Sequence, residues 1–208
     1  MSAREEILAR IRSARPAVAP QVSRRYRTDP PEQTDGELID LLVDRLVDYR
    51  ATVRRCTAGE LPAAVAELLS GVPQVAVPPG APASWLGSYR GPVVRDGDPR
   101  PLTVADLDAP GMAVVTGCAV AIAQTGTLIL DAAPDQGRRL LSLVPDHHLC
   151  VVHTGQVVAG VPAALARIAD PTRPLTLVSG PSATSDIELN RVEGVHGPRR
   201  LDVLVVRD

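Results

Sequence analysis

The sequence predicts an α/β protein built on a mostly parallel sheet that is flanked by helices. Short runs rich in Val, Leu and Ile alternate with amphipathic segments, which is the order that βαβ units produce. These runs are apolar without interruption, as in strands that are covered on both faces. Aromatic residues make up only 2% of the 208 residues and Phe is absent, so the core must consist of Val, Leu, Ile and Ala.

The amino-terminal region is predicted to be separate from the sheet. Ser2 and Glu5 have the spacing of a capping box and begin a mostly polar helix. The stretch that follows is rich in Pro, Arg and Gln, which is typical of a linker. We therefore expect residues 1–33 to form an N-terminal helical arm and residues 34–208 to form the α/β domain.

The α/β domain is predicted to begin with a helix that Thr34 and Glu37 cap, and its first strand, helix and strand have the βαβ order. Residues 80–111 are rich in loops. The expected elements are helices over 2–14, 34–50, 61–69, 135–143 and 156–168, and strands over 52–56, 75–77, 113–115, 119–123, 127–130, 149–152, 175–178 and 201–206.

Charge and hydropathy exclude several classes of protein. The formal net charge is −2, so no global field favours nucleic acid or an anionic membrane. No apolar run reaches the ~18 residues that a membrane span needs. The charged start lacks the apolar stretch of a signal peptide. We expect a cytoplasmic protein with no nucleic-acid partner and no membrane span.

The basic residues and cysteines limit the chemistry further. All 22 basic residues are arginine, so a Schiff-base lysine and a P-loop lysine are excluded. Cys56, Cys118 and Cys150 lie far apart and form no CxxC pair. Three cysteines cannot supply the four thiolates of an iron–sulfur cluster. We expect them to be buried, and we expect no cofactor in this chain.

The histidines around one predicted strand do not have the pattern of a metal site. Only His147 and His153 share a strand face, and His148 lies on the other. His147 and His153 are six positions apart, which places them about 20 Å apart along a strand. The spacing typical of zinc ligands is missing. The sequence therefore predicts no metal site.

The segment Gln124-Thr125-Gly126-Thr127 joins two predicted strands and has two interpretations. Its hydroxyls and backbone N–H groups can bind a carboxylate or a phosphate. A hairpin turn that needs a positive φ at Gly126 explains the same residues. From the sequence alone, the structural interpretation is favoured.

The most polar segment runs from Ser179 to Pro198, directly after a predicted strand. Ligands of open α/β sheets bind beyond the carboxyl ends of strands. The mixture of groups can supply a general base, an anion clamp and oriented donors. Ser185 and Glu188 also have capping-box spacing, so part of the polarity can be structural. The segment contains Asp186, Glu188, Asn190, Arg191, Glu193 and His196.

Two stretches resemble the lactate utilisation protein C family, which has a LUD domain and is also described as YkgG-like. They are AIAQTGTLIL, ending at Leu130, and SGPSATSDIELNRVEGVHGPRRLDVLVV, beginning at Ser179. The starting AREEILARIR is also similar to that family. The resemblance implies a fold like that of sugar-phosphate isomerases and CoA transferases. It also implies a role beside two iron–sulfur partner proteins that oxidise L-lactate to pyruvate and hold the clusters.

The candidate site residues are positions that match the family pattern, together with Asn190 and Arg191 from the polar segment, whose chemistry also suggests the catalytic roles. Gln124 stands where many relatives have an acidic residue, so no carboxylate is expected in the turn. The candidate catalytic residues are Glu188, Glu193 and His196. The candidate ligand-binding residues are Thr125, Gly126, Thr127, Ser182, Thr184, Ser185, Asp186, Asn190, Arg191 and Gly197.

The sequence leaves the function open between two classes. One is a subunit of an L-lactate utilisation system that is itself not necessarily an enzyme. The other is a stand-alone enzyme or binder of a small anionic metabolite, acyl or phosphorylated, in which Glu188 or Glu193 is base or nucleophile and Arg191 clamps the anion. A formyltetrahydrofolate cyclo-ligase-like enzyme is disfavoured, because the chain has no Lys and no Gly-rich phosphate loop.

Overall fold

A six-stranded parallel sheet forms the centre of the structure, a computed structural model that describes residues 2–14, 23, 33–184, 192–193 and 197–207. Its strands, in spatial order, are β1 (Thr52–Thr57), β12 (Arg200–Arg207), β7 (His147–His153), β4 (Met112–Thr116), β2 (Gln74–Val77) and β3 (Val93–Arg95). Every adjacent pair is parallel. The predicted fold class is therefore confirmed.

A second, smaller sheet packs beside the first. Its spatial order is β8 (Val157–Val158), β5 (Val120–Ile122), β6 (Thr127–Leu130) and β9 (Thr176–Val178). β5, β6 and β9 are antiparallel neighbours, and β8 is parallel to β5. A two-residue ladder joins β10 (Ala183–Thr184) to β11 (Val192–Glu193).

The helices are α1 (Ala3–Ser13), α2 (Asp35–Asp48), α3 (Leu61–Leu68), α4 (Val104–Leu107), α5 (Arg139–Leu143) and α6 (Val161–Arg167). The predicted capping boxes of α1 and α2 are confirmed, since Ser2 and Thr34 accept from Glu5 N and Glu37 N. None of the described helices is long and apolar enough to cross a membrane.

The two faces of the central sheet have separate cores. Leu149 and Val151 of β7 pack on the face that α3 covers. Cys150 and Val152 pack on the other face, against α2 and the second sheet. Because residues of a strand alternate between faces, an uninterrupted apolar run fills both cores at once. All three cysteines are buried, as predicted.

Two predicted helices begin later than the sequence indicates. In the predicted helix over 156–168, Val157 and Val158 instead form β8, and α6 begins at Val161. Two β-branched residues pair with β5 here, and this long-range pairing outweighs local helical periodicity. In the predicted helix over 135–143, α5 begins only at Arg139, because Gly137 has a φ of 70° and forms a turn.

The arm stays a prediction. Within the described residues, α1 buries none of its side chains, and its apolar residues Ile7 and Ile11 are exposed. Most of the predicted linker lies outside the described residues.

Candidate functional site

The two motifs that are separated in sequence meet in the structure. The hydroxyls of Thr125 and Thr127 are 2.7 Å apart, and that of Thr127 lies 2.8 Å from the hydroxyl of Ser179. This chain of hydrogen bonds forms because β6 and β9 are antiparallel neighbours, which brings the start of β6 beside the end of β9. The turn and the start of the polar segment are therefore neighbours in the fold.

The turn itself is shaped by packing. Gly126 has a φ of 60°, and a Cβ placed there would lie 2.8 Å from Cβ of Arg45 in α2. The N–H groups of Gln124 and Gly126 already donate to Ala159 O and Ala123 O. Since these donors bind inside the protein, the structure favours the hairpin interpretation of the turn over an anion-binding loop.

A cavity of about 140 Å³ lies beside the same segment. His148, Ser142, Thr176 and Leu201 are buried and form its floor. The half-buried residues Pro181, Ser182, Gly197 and Pro198 form its mouth. Leu143, Leu177, Val178 and Gly180 complete the lining.

This cavity lies at the amino ends of central strands, not at their carboxyl ends. His148 and Leu201 are the second residues of β7 and β12 and are partners in register. The polar segment does follow a strand, as predicted, but that strand is β9 of the second sheet. The cavity therefore lies beyond the carboxyl end of β9 and at the amino ends of β7 and β12.

The ends of the polar segment are tied together at the mouth. The N–H of Ser182 donates to the carbonyl of Pro198 at 2.8 Å. A Cβ placed on Gly197 would lie 3.5 Å from Cβ of Ser182, so the two strands of chain are in close contact. The β10–β11 ladder continues this pairing outward from the mouth.

His148 is the most deeply buried polar group of the cavity, with 1% of its surface exposed. Its Nε2 lies 2.8 Å from the hydroxyl of Thr116, which in turn lies 2.9 Å from the carbonyl of Gly117. Burial, and then the charge of His147, lower the pKa of His148 to about 4. The ring is therefore neutral near pH 7.

A separate ionic cluster occupies the opposite face of the same strand ends. Nε2 of His147 lies 2.8 Å from the carboxylate of Asp202, and Arg200 contacts that carboxylate at 2.7 Å. Burial opposes ionisation of Asp202, but hydrogen bonds from His147 and Arg200 outweigh burial and hold its pKa below the usual value. The contact between His147 and Asp202 is structural, since it joins β7 to β12.

A larger groove of about 1010 Å³ lies at the carboxyl ends of β1 and β12. Several of the arginines and acids that line it contact one another or the backbone. Arg55 pairs with Asp40 at 2.7 Å, and Arg167 donates to the carbonyl of Gly155 at 2.7 Å. In the part of the chain that the structure describes, no group of three or more His, Cys, Asp or Glu residues could hold a metal.

The structure describes only part of the predicted site. It places the side chains of Thr125, Thr127 and Ser182 together with the backbone of Gly126 and Gly197. Thr184 and Glu193 are described as the backbone of β10 and β11. The remaining predicted residues lie outside the described residues: Ser185, Asp186, Glu188, Asn190, Arg191 and His196. Their roles stay predictions.

Sequence reasoning missed three polar residues of the cavity, namely Ser142, His148 and Thr176. The alternation of side chains along a strand places His148 on the face opposite His147 and His153. From the sequence, this alternation served only as an argument against a metal site. A usable signal was present, since His148 is a polar residue at the start of an apolar strand. Such a position needs a buried hydrogen-bond partner.

Comparisons with known proteins identify the family of the chain. Residues 112–206, from β4 to the end of β12, match the LUD domain family. The chain is 49% identical to Lactate utilization protein C of Deinococcus radiodurans, over 98% of this chain and 95% of that protein. It is 35% identical to Lactate utilization protein C of Bacillus licheniformis, over 45% of this chain and 42% of that protein.

The fold also matches a solved structure. A crystal structure of a DUF162 family protein from Deinococcus radiodurans superposes with a TM-score of 0.71 at 42% sequence identity. The match covers 84% of this chain and 99% of that chain. Both the turn and the polar segment lie within the residues that match the LUD domain.

Proposed function

Because this chain belongs to the LUD domain family, we propose that it is a component of a lactate-utilisation system in which L-lactate is oxidised to pyruvate. Support comes from the relative that it matches over nearly its whole length, which is named Lactate utilization protein C. We place the protein in the cytoplasm beside iron–sulfur proteins that carry out the electron transfer.

One structural observation carries the proposal. The turn at Thr125–Thr127 and the segment that begins at Ser179 are 52 residues apart at the contact, yet their hydroxyls form one hydrogen-bonded chain. These are the two stretches that carry the family resemblance. The segment that begins at Ser179 continues into the cavity lining at Gly180, so the contact places the turn next to that lining and supports a shared site for the two motifs.

The cysteines of this chain bear on which proteins of the system hold the iron–sulfur clusters. All three are buried, and Cys118 and Cys150 lie inside one core cluster. Three cysteines cannot supply the four thiolates of an iron–sulfur cluster, so the proposal assigns the clusters to other proteins. This chain contributes the binding and orientation of a metabolite, or a surface on which those proteins assemble.

The test is a deletion of the gene in the organism that encodes it. We expect loss of growth on L-lactate as the carbon source, with normal growth on pyruvate and on glucose. A tagged copy that restores growth is expected to bring iron–sulfur proteins with it when purified from lactate-grown cells. Undiminished growth of the deletion strain on L-lactate would contradict the proposal.

Two threonine variants test the site within that strain. Thr127→Val removes the central hydroxyl of the hydrogen-bonded chain and keeps the β-branched shape. We expect it to fail to restore growth on L-lactate. The matched control is Thr52→Val, which changes an exposed threonine of the edge strand β1 and should restore growth fully. Equal growth of both variants would remove the turn from the site.

A second function, a stand-alone enzyme or binder of a small anionic metabolite, is favoured by one observation. His148 lines the cavity, and its buried Nδ1 has no hydrogen-bond partner among the described residues. On this alternative Glu188 or Glu193 is the base or nucleophile and His196 the acid. Glu188→Gln and His196→Ala should then abolish lactate-dependent growth without unfolding the protein. Normal growth of both variants would remove these residues from the site.

A further inference from the structure

Nδ1 of His148 is an unusual atom in this fold. Among the described residues it is the one buried side-chain nitrogen or oxygen that has no hydrogen-bond partner. Leaving such an atom unpaired costs about 1–3 kcal/mol. Buried polar groups are otherwise paired in folded proteins, and each exception needs an explanation, of which a ligand or a water that completes the bond is one.

The neighbours of His148 fix which kind of partner this atom needs. The hydroxyl of Thr116 has one hydrogen, which it donates to the carbonyl of Gly117 at 2.9 Å, while the sulfur of Cys150 is 4.0 Å away. The same hydroxyl must therefore accept from Nε2 of His148 at 2.8 Å. A neutral ring with its proton on Nε2 leaves Nδ1 as an acceptor, so its partner must be a donor.

The cavity around His148 is suited to a small organic molecule. Its volume of about 140 Å³ far exceeds the ~10–15 Å³ that one water needs. Thr176 adds a hydroxyl to the floor, and Val178 and Leu201 add an apolar wall. The described lining contains no charged side chain, so a carboxylate on the floor would lose its hydration without compensation.

We propose that this cavity binds a small 2-hydroxy carboxylate whose hydroxyl donates to Nδ1 of His148. The short alkyl group then lies against Val178 and Leu201, and the carboxylate stays at the half-buried mouth, where water reaches it. This inference rests on the proposed function and deepens it, because it assigns the recognition of the ligand's hydroxyl to one residue.

Calorimetric titration of the purified full chain with L-lactate and propionate tests the inference. Propionate differs only by the absence of the hydroxyl, so we expect it to bind about tenfold more weakly, which corresponds to ~1.4 kcal/mol. His148→Phe keeps a ring but removes the acceptor, and we expect it to bind the two acids equally. Thr52→Val should retain the tenfold preference. Equal affinity of the unaltered protein for both acids, or no binding of either, would overturn the inference.

A second measurement does not depend on whether His148→Phe folds. Imidazole ¹⁵N spectra of the unaltered protein report which ring nitrogen carries the proton. We expect Nδ1 without a proton before the titration, and a shift of its resonance with L-lactate that is absent with propionate. A proton on Nδ1, or identical responses to both acids, would overturn the inference.

The two proposals can fail separately. If the deletion strain cannot grow on L-lactate but the purified chain does not discriminate lactate from propionate, the lactate-utilisation role is supported and the ligand site at His148 is refuted. If the chain discriminates lactate from propionate while the deletion strain grows normally on L-lactate, the ligand site is supported and the lactate-utilisation role is refuted.

Discussion

The two ends of the central sheet differ in what they offer a ligand. The groove at the carboxyl ends is about 1010 Å³, against about 140 Å³ for the cavity at the amino ends. In the groove, Arg55 already pairs with Asp40, and Glu60 accepts from the N–H of Thr57. In the cavity, a buried nitrogen of His148 lacks such a partner among the described residues.

The comparison teaches that size and position alone do not identify the site. A parallel sheet favours binding beyond its carboxyl ends, and the largest pocket is the usual first candidate. In this protein the second sheet covers one face of the central sheet, and β9 directs the polar segment to the amino ends of β7 and β12. The unmet hydrogen bond is the more informative signal.

The largest expected effect comes from comparing ion pairs at the two ends. Asp202 is fully buried beside His147 and Arg200, whereas Asp40 and its partner Arg55 are about half exposed or more. Breaking a buried pair leaves uncompensated charge, so Asp202→Ala should lower the free energy of unfolding by about 3–5 kcal/mol. Asp40→Ala should cost less than ~1 kcal/mol. Urea denaturation measures both, and equal losses would contradict this account of the amino end.

The next effect is a pH dependence that His148 contributes. Its pKa is about 4 in the folded protein, below the ~6.5 of an unfolded chain. Above pH 6.5 His148 is neutral in both the folded and the unfolded state, and its contribution to the free energy of unfolding is fully present. As the pH falls toward 4, only the unfolded state takes up this proton, so the free energy of unfolding falls by up to about 3 kcal/mol.

His148→Phe isolates this contribution, because the variant lacks the titrating ring. The stability advantage of the unaltered protein over the variant should shrink as the pH falls from 7.5 to 4.5 in a series of urea denaturations. Thr176→Val changes another residue of the same cavity and keeps His148. Its free energy of unfolding should therefore fall with pH as that of the unaltered protein does. A difference between protein and variant that is independent of pH would show that His148 is not held neutral by burial.

The smallest effect compares two glycines. Gly126 has a positive φ and lies against α2, where an added Cβ would be 2.8 Å from Arg45 Cβ. Gly155 lines the groove and has no atom within 4 Å of an added Cβ. Gly126→Ala should lower the free energy of unfolding by about 2 kcal/mol, from backbone strain and close packing. Gly155→Ala should be nearly neutral, and thermal denaturation of the pair checks the difference.

Much of the fold could be predicted because its signals are local. The capping residues Ser2 and Thr34 lie three residues from their partners, and the apolar run at β7 is continuous. The short strand β8 was missed because its pairing with β5 involves residues 36 positions away in sequence. Local periodicity contains no record of that contact.

In the candidate site too, some residues could be identified from the local sequence, whereas the contacts of others depend on long-range pairing. Thr125 and Thr127 could be identified from their pattern, but the hydrogen bond to Ser179 exists only once β6 and β9 pair. The role of His148 depends on Thr116, which lies 32 residues earlier in the chain. The alternation of side chains along a strand could assign a face to His148. Only the folded structure shows that its Nδ1 has no hydrogen-bond partner among the described residues.

A crystal structure of the protein soaked with L-lactate compares the two ends most directly. We predict electron density for lactate in the cavity at the amino ends, with its hydroxyl within hydrogen-bond distance of Nδ1 of His148. Density for lactate in the carboxyl-end groove, among Arg55, Arg167 and Arg207, with only water beside His148, would contradict the account.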